Sequence, residues 1–238
     1  MRKLSQMFKS YLIKFMIRVF IFVAILAIYI MDKPLLDFTS VWENRHVFAP
    51  TYIFGAIILI EMFIQINPRS KISIGCLKQF KRYYKEPDVA YDIRKLNDEI
   101  NEKNLGAIKV LVVWGICNLV IGILYLKKII GVEEMVLISA AYYLGDLVCV
   151  VFFCPFQKIL MKNKCCATCR IFAWAHPMMT TPFIFVKHLF SWSLFLIALC
   201  IAIRWEYVYH KYPERFFEKT NDNLKCINCT EKMCKIRN

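Results

Sequence analysis

Residues 19–31 read VFIFVAILAIYIM, an uninterrupted apolar run that sets the fold class of this chain. The residues before it include five basic side chains and no acidic one: Arg2, Lys3, Lys9, Lys14 and Arg18. An apolar run behind a basic segment is typical of a signal peptide or of a first membrane span. Asp32-Lys33-Pro34 stands where a signal peptide would have a small-residue cleavage site. We therefore predict a retained span over about 15–31 that starts in the cytoplasm, with Arg18 reaching the lipid headgroups.

The composition of the whole chain agrees with a membrane protein. Hydrophobic residues make up 58% of its 238 residues, whereas soluble domains have an apolar share of roughly 45–50%. The predicted fold class is all-α, a polytopic transmembrane helix bundle with a cytoplasmic amphipathic helix. About five spans are expected: 15–31, 47–66, 105–126, 135–156 and 183–203. They form a transmembrane domain over 1–204, followed by a basic, cysteine-containing tail over 205–238.

The net charge of +14 arises from 32 basic and 18 acidic residues, and the basic excess lies beside the apolar runs. Positive-inside bias and attraction to anionic lipid headgroups produce such a distribution. The partners predicted from charge are therefore the lipid bilayer and anionic headgroups, and no nucleic acid, since no nucleic-acid-binding module is recognisable. The predicted location is the cell membrane, with several passes and a cytoplasmic N-terminus.

The polar stretch 67–104 carries nine Lys or Arg residues, which predicts a cytoplasmic loop. Within this loop, the segment 87–103 is predicted to form an amphipathic helix that ends near Asn104 and Gly106. Its apolar stripe has four members: Val89, Ile93, Leu96 and Ile100. The sequence leaves two roles open for the stripe, which either docks on the protein's own cytoplasmic face or binds a partner.

The last apolar segment, 171–203, contains three interruptions: His176-Pro177, Thr180-Thr181-Pro182 and Lys187-His188. The segment is too long for one simple span and too short for two spans with a turn. One continuous fifth span would place the tail outside, whereas a broken or re-entrant segment, dividing near 182–188, would return the tail to the cytoplasm. From Lys211 onward the tail has seven basic and four acidic residues, which favours the cytoplasmic side.

Two cysteine pairs have the spacing of tetrahedral metal ligands: Cys166-x-x-Cys169 in a basic loop and Cys226-x-x-Cys229 in the tail. The first hypothesis is a structural zinc ion that ties the loop to the tail, with Cys165 and Cys234 as further ligands. An iron–sulfur cluster or redox-active dithiols would use the same residues. Reduced cysteines without a shared function are the remaining alternative.

Four polar residues are expected inside the bilayer: Glu61, Asp146, Lys187 and His188. A charge within a bilayer needs a partner, so these residues form structural ion pairs or else line an ion or proton pathway. Asp146 is expected near mid-bilayer, where it could accept a hydrogen bond from a tyrosine one turn earlier.

Three hypotheses for function follow from the sequence. The first is a non-enzymatic multi-pass membrane protein whose cytoplasmic cysteine-rich face binds a structural metal. The alternative is a membrane thiol-disulfide or iron–sulfur electron-transfer protein. The third is a transporter that uses the intramembrane carboxylates. No catalytic residue is predicted, because the histidines lie in no recognisable motif.

Overall fold

The structure is a computed structural model that describes residues 5–39, 50–67, 73–88 and 90–229, and its regular elements in these ranges are helical. The α-helices are α1 (Gln6–Met31), α2 (Pro50–Ile66), α3 (Ile74–Leu77), α4 (Ile93–Leu126), α5 (Val132–Val151), α6 (Ala175–Thr180) and α7 (Leu189–Lys211). Single 3-10 or π turns complete the fold: Lys33–Leu36, Lys81–Tyr83, Phe156–Leu160, Phe172–Trp174, Thr181–Ile184, Pro213–Arg215, Asp222–Leu224 and Cys226–Asn228.

Four helices, α1, α4, α5 and α7, are long and apolar enough to cross a membrane, and α2 is a shorter apolar helix of 17 residues. Their outer surfaces carry exposed apolar side chains such as Phe20 on α1, which is 74% exposed, and Leu119 on α4. Large contiguous apolar surfaces are rare on soluble monomers and are normally covered by lipid or by a partner. The helical bundle therefore agrees with the coarse fold class expected from the sequence.

The main apolar core lies between α5 and its neighbours α1, α2, α6 and α7. Two glycines allow close approach of aromatic side chains to a helix backbone. A Cβ at Gly55 would lie 2.3 Å from the ring of Phe190, and a Cβ at Gly122 would lie 2.3 Å from the ring of Phe185. Small residues at such positions let apolar elements pack tightly in lipid. Substituting either glycine would force the facing aromatic side chain out of the core.

The sequence prediction for residues 87–126 was wrong in two respects, and the first is the start of the helix, which lies at Ile93 rather than at Pro87. A separate helix ending near Asn104 was expected, but α4 is continuous from Ile93, where the side chain of Asp92 caps it by accepting from Arg94 N at 2.9 Å. Tertiary contacts outweigh the weak stop signals. Asn104 Oδ1 accepts from Arg170 Nε at 3.2 Å, and Gly106 lies against the backbone of Leu160 and Met161, in the segment that follows α5.

The bounds of the other spans also shift. Helix α1 begins at Gln6 rather than near residue 15, α5 covers 132–151 rather than 135–156, and α7 covers 189–211 rather than 183–203. Between α5 and α7 the chain forms only short turns and α6, and the stretch 185–188 is not helical. This interruption agrees with the broken-segment alternative, which was expected to divide near 182–188.

One end of the bundle is formed by residues 73–88, 157–174 and 212–229, which we call the loop face. Lys78 Nζ donates to Ala167 O at 2.9 Å and to Cys169 O at 2.8 Å. The first polar loop therefore contacts the segment 157–170, which carries three cysteines and which we call the cysteine loop. The tail joins them, since Asn223 Nδ2 donates to Tyr83 O at 2.8 Å. The start of α1 packs against the end of α5 at the same end of the bundle. The two polar loops and the tail therefore share one face.

The apolar stripe of the predicted amphipathic helix is largely covered by the protein itself. Leu96 is buried and Ile100 is partly buried, and both pack against the aromatic cluster of Trp205, Tyr209, Phe216 and Phe217. Ile93 remains 69% exposed, and Val89 lies outside the described residues. These contacts agree with the docking alternative. Binding of a partner through this helix stays a prediction.

Candidate functional site

A cavity of about 520 Å³ lies between α1, α2, α5, α6 and the loop face. Its lining includes Arg18, Glu61, Asp146, Cys166 and His176, and we call it the inner cavity. This volume falls in the range of about 300–1,000 Å³ that is usual for small-molecule sites. The inner cavity thus brings together two sets of residues that the sequence treated separately, the intramembrane carboxylates and the first cysteine pair.

A buried ion network forms one wall of the inner cavity. Arg18 on α1 is only 6% exposed. Its Nη2 lies 2.7 Å from Glu61 Oε2 on α2, and its Nη1 lies 2.7 Å from Asp146 Oδ2 on α5. Tyr143, one turn before Asp146, contributes its backbone oxygen to Arg18 at 2.6 Å and donates its hydroxyl to Glu61 at 3.0 Å. One guanidinium therefore links three helices through charge-assisted hydrogen bonds.

This geometry changes two expectations. Arg18 does not reach toward headgroups, because two carboxylates in the bundle interior bind it more closely. The tyrosine hydroxyl donates to Glu61 rather than to Asp146. Both carboxylates therefore form ion pairs with Arg18, whereas a role in an ion or proton pathway stays a prediction. The sequence did contain a signal that Arg18 is buried, because it is a single basic residue between the apolar residues 15–17 and 19–31 of one helix.

Three buried polar side chains of the inner cavity keep atoms without a hydrogen-bond partner among the described residues. They are Nδ1 and Nε2 of His176, Oε1 of Gln65 and Nε of Arg18. His176 is 8% exposed and Gln65 is 7% exposed. The great majority of buried polar atoms in folded proteins have a partner, since leaving one unpaired costs about 1–3 kcal/mol. These three side chains add polar groups to the mainly apolar and aromatic lining of the inner cavity, while the unpaired atoms themselves are shielded from a water-sized molecule.

Thiols line the side of the inner cavity nearest the loop face. Cys149, in the last turn of α5, and Cys154, just after that helix, both border the cavity there. Cys166 Sγ donates to Gln157 Oε1 at 2.7 Å, and Gln157 N donates to Cys154 Sγ at 3.3 Å. Cys169, the second member of the predicted pair, also borders the cavity and is buried, and burial raises the pKa of its thiol. The sequence analysis did not select Cys149 or Cys154, because neither belongs to a CxxC pair.

The structure does not gather the four predicted metal ligands. Cys166 lies at the inner cavity, whereas Cys226 is exposed on the tail and its thiol donates to Glu218 Oε1 at 3.2 Å. Cys229 follows Cys226 on the tail, and Cys234 lies outside the described residues. In the described part of the chain, no group of three or more His, Cys, Asp or Glu side chains is arranged to hold a metal ion. The zinc and iron–sulfur hypotheses therefore gain no support.

Lys187 and His188 lie at the end of the bundle opposite the loop face, away from Glu61. His188 caps α7 by accepting from Phe190 N at 3.2 Å, and its ring contacts Phe38 at 5.3 Å between centroids. Lys187 is exposed and has no ion pair in the described ranges. Lys187 and His188 do not line the inner cavity with Glu61 and Asp146, and their expected place inside the bilayer stays a prediction.

Buried charges also organise the loop face. Arg170 binds Glu206 through both of its terminal nitrogens, and Trp174 Nε1 donates to the same carboxylate at 2.7 Å. Lys78 is 1% exposed, and its ammonium lies 5.1 Å from the ring centroid of Trp205. Burial lowers the pKa of Lys78 to about 8. These groups hold the cysteine loop, α3 and the end of α7 in one arrangement.

No protein-family model, no curated protein and no solved structure matches this chain. Its function must therefore be argued from the geometry of the inner cavity.

Proposed function

We propose that this chain is a multi-pass helical membrane protein that binds a small, mainly apolar solute in the inner cavity. The observation that carries the proposal is a cavity of about 520 Å³ whose apolar and aromatic walls also include the polar side chains of His176, Gln65 and Arg18. Binding sites of this kind are mostly apolar and contain a few polar groups that fix the orientation of the ligand. A solute with hydrogen-bonding groups at its edge would complement these polar side chains.

The proposed orientation places the loop face and the N-terminus in the cytoplasm of a cell membrane. Support comes from the basic residues of 73–88, of the cysteine loop and of 211–229, which lie at one end of the bundle. Lys and Arg are enriched in cytoplasmic loops. In this orientation the helices α1, α2, α4 and α5 each cross the membrane once. The broken segment 171–188 and α7 add two further crossings, so both termini would lie on the cytoplasmic side.

The transporter hypothesis is a weaker form of this proposal. Both carboxylates already bind Arg18, so they are less available to an ion in passage than a solvated carboxylate would be. The four-thiolate zinc site is weaker still, because its two cysteine pairs lie on separate parts of the loop face. Solute binding needs no rearrangement of either set of residues.

A cavity-filling substitution tests solute binding. Gly145 lines the inner cavity, and a Cβ at this position would meet no atom within 4 Å, so Gly145→Leu reduces the cavity without a clash. Gly115 is the matched control, because it is equally open but lies on the exposed surface of α4. Each purified protein is extracted with organic solvent, and the small molecules released are identified and quantified by mass spectrometry.

We expect the wild type and Gly115→Leu to release one common small molecule in a near-stoichiometric amount, and Gly145→Leu to release at most a tenth of it. Thermal unfolding of both variants should match the wild type, since neither glycine is tightly packed. An identical set of released molecules from all three proteins, or none above the level of a detergent blank, would overturn the proposal.

A further inference from the structure

Asp146 on α5 presents one carboxylate oxygen to the inner cavity. Its Oδ2 binds Arg18 Nη1 at 2.7 Å, whereas no group in the described part of the chain donates to its Oδ1. The unpaired atoms of His176 and Arg18 are shielded, but Asp146 Oδ1 is not one of those atoms, and the Asp146 side chain is 23% exposed. Glu61 differs, because Tyr143 and Arg18 occupy its two oxygens. Asp146 is therefore the carboxylate that can still accept a hydrogen bond from a solute.

The charges around Asp146 favour a cation in the inner cavity. The ion network holds two carboxylates, Glu61 and Asp146, against the single guanidinium of Arg18, which leaves one negative charge. Lys14 also lines the cavity, but it is exposed on α1 and forms no ion pair with either carboxylate among the described residues. A lysine at the boundary of a span extends its ammonium toward water or headgroups. A cation beside Asp146 would restore neutrality, whereas an anion would be repelled.

Open space and aromatic rings lie beside Asp146. Gly145 precedes it on α5, and a Cβ at that position would meet no atom within 4 Å. Tyr142, one helical turn earlier, lies against Trp114 of α4, with 4.5 Å between their ring centroids. Both aromatic side chains line the inner cavity. Because aromatic faces attract cations and also cover apolar groups, this wall suits an organic ammonium ion.

The size of the inner cavity favours an organic cation over a metal ion. Its volume of about 520 Å³ falls in the range that is usual for small organic molecules. A metal ion needs several ligands in one place, and the described residues contain no group of three or more His, Cys, Asp or Glu side chains arranged for one. An organic ammonium ion needs one carboxylate for its N–H group and an apolar wall for its body. The lining of the inner cavity provides both.

We propose that the solute of the inner cavity is an apolar organic cation whose ammonium group donates a hydrogen bond to Asp146 Oδ1. The body of the cation packs against Tyr142 and Trp114. This inference rests on the proposed function, because it names the chemical class of the solute. It gives the carboxylate of Asp146 two roles: Oδ2 holds the ion network together, and Oδ1 selects the charge of the solute.

The test compares two probes of nearly the same shape and different charge. Naphthylmethylamine is a cation at neutral pH, and naphthylmethanol is its uncharged counterpart. Binding of each probe to the full chain in phosphatidylcholine nanodiscs is measured by equilibrium dialysis, and binding to empty nanodiscs is subtracted. We expect the wild type to bind the amine at least about tenfold more tightly than the alcohol, because a close pair of opposite charges in a desolvated site is stronger than a neutral hydrogen bond.

Substitutions assign this preference to Asp146. Asp146→Asn keeps the size of the side chain and removes its charge, so the preference for the amine should fall to about twofold or less, with binding of the alcohol unchanged. Glu102→Gln, a control at an exposed carboxylate of α4, should keep the full preference. Unfolding curves show whether Asp146→Asn is folded. Glu61→Gln removes the same charge from the ion network and should also weaken the preference, which provides a second variant.

The outcomes separate this inference from the proposed function. Equal binding of the two probes to the wild type, or an equal preference in folded Asp146→Asn, would overturn the cation while solute binding stands. A neutral or anionic molecule extracted from the wild type would do the same. Absence of binding by either probe would also overturn the cation, and the extracted molecule would then decide solute binding alone. Amine binding should disappear in Gly145→Leu and persist in Gly115→Leu, and its persistence in both would contradict the inference.

Discussion

Replacing Arg18 by methionine should destabilise the bundle strongly. Arg18→Met removes the guanidinium that binds Glu61 and Asp146, each at 2.7 Å, and leaves both carboxylates without their cation. Removing one partner of a buried ion pair costs roughly 3–5 kcal/mol. We expect about 3 kcal/mol, the lower end, because the carboxylate side chains are 26% and 23% exposed toward the cavity and keep some solvation. Unfolding by SDS titration in detergent micelles measures the loss.

Two further variants make this prediction refutable. Combining Arg18→Met with Glu61→Gln and Asp146→Asn removes all three charges, so the triple variant should recover at least half of the lost free energy. Arg204→Met, on an exposed position of α7, should change the free energy of unfolding by at most about 0.5 kcal/mol. A loss below about 1 kcal/mol for Arg18→Met would contradict the reasoning, as would a triple variant no more stable than the single one.

Three further predictions concern the loop face. Burial lowers the pKa of Lys78 from 10.5 to about 8, so between these pH values the unfolded chain binds more protons than the folded one, and stability should rise with pH. Titrating the unfolding midpoint of wild type against Lys78→Met tests this, and parallel pH profiles of the two proteins would refute it. Phe216→Ala should cost about 3–5 kcal/mol of unfolding free energy, because Phe216 is 2% exposed. Ile227→Ala, at an 88% exposed position, is its control and should unfold like the wild type. Glu206→Ala strands the buried guanidinium of Arg170, so limited proteolysis should cut the cysteine loop at least several-fold faster than in wild type.

The sequence predicted the helical class and most of the apolar helices, because an apolar run of membrane length has few other stable environments. A break before α7 was one of two alternatives that the sequence left open, since prolines and charged residues in an apolar segment disfavour a continuous helix, and residues 185–188 are not helical. Helix ends were less accurate. The stop expected near Gly106 fails because Met161 and the neighbouring backbone pack against that glycine and keep α4 continuous. Contacts of this kind join residues far apart in the chain and have no local pattern.

The inner cavity shows the same contrast between what local sequence patterns predict and what tertiary packing decides. Glu61 and Asp146 were selected from the sequence because carboxylates in apolar helices are costly and need a partner. Their partner, Arg18, lies on a different helix, and only the packing of α1 against α5 decides that it turns inward. The sequence pattern favoured Cys166 with Cys226, yet the fold places Cys166 beside Cys149 and Cys154 instead. Spacing in the chain determines which side chains share a helix turn, whereas the meeting of side chains from separate elements depends on tertiary packing, which the local sequence does not encode.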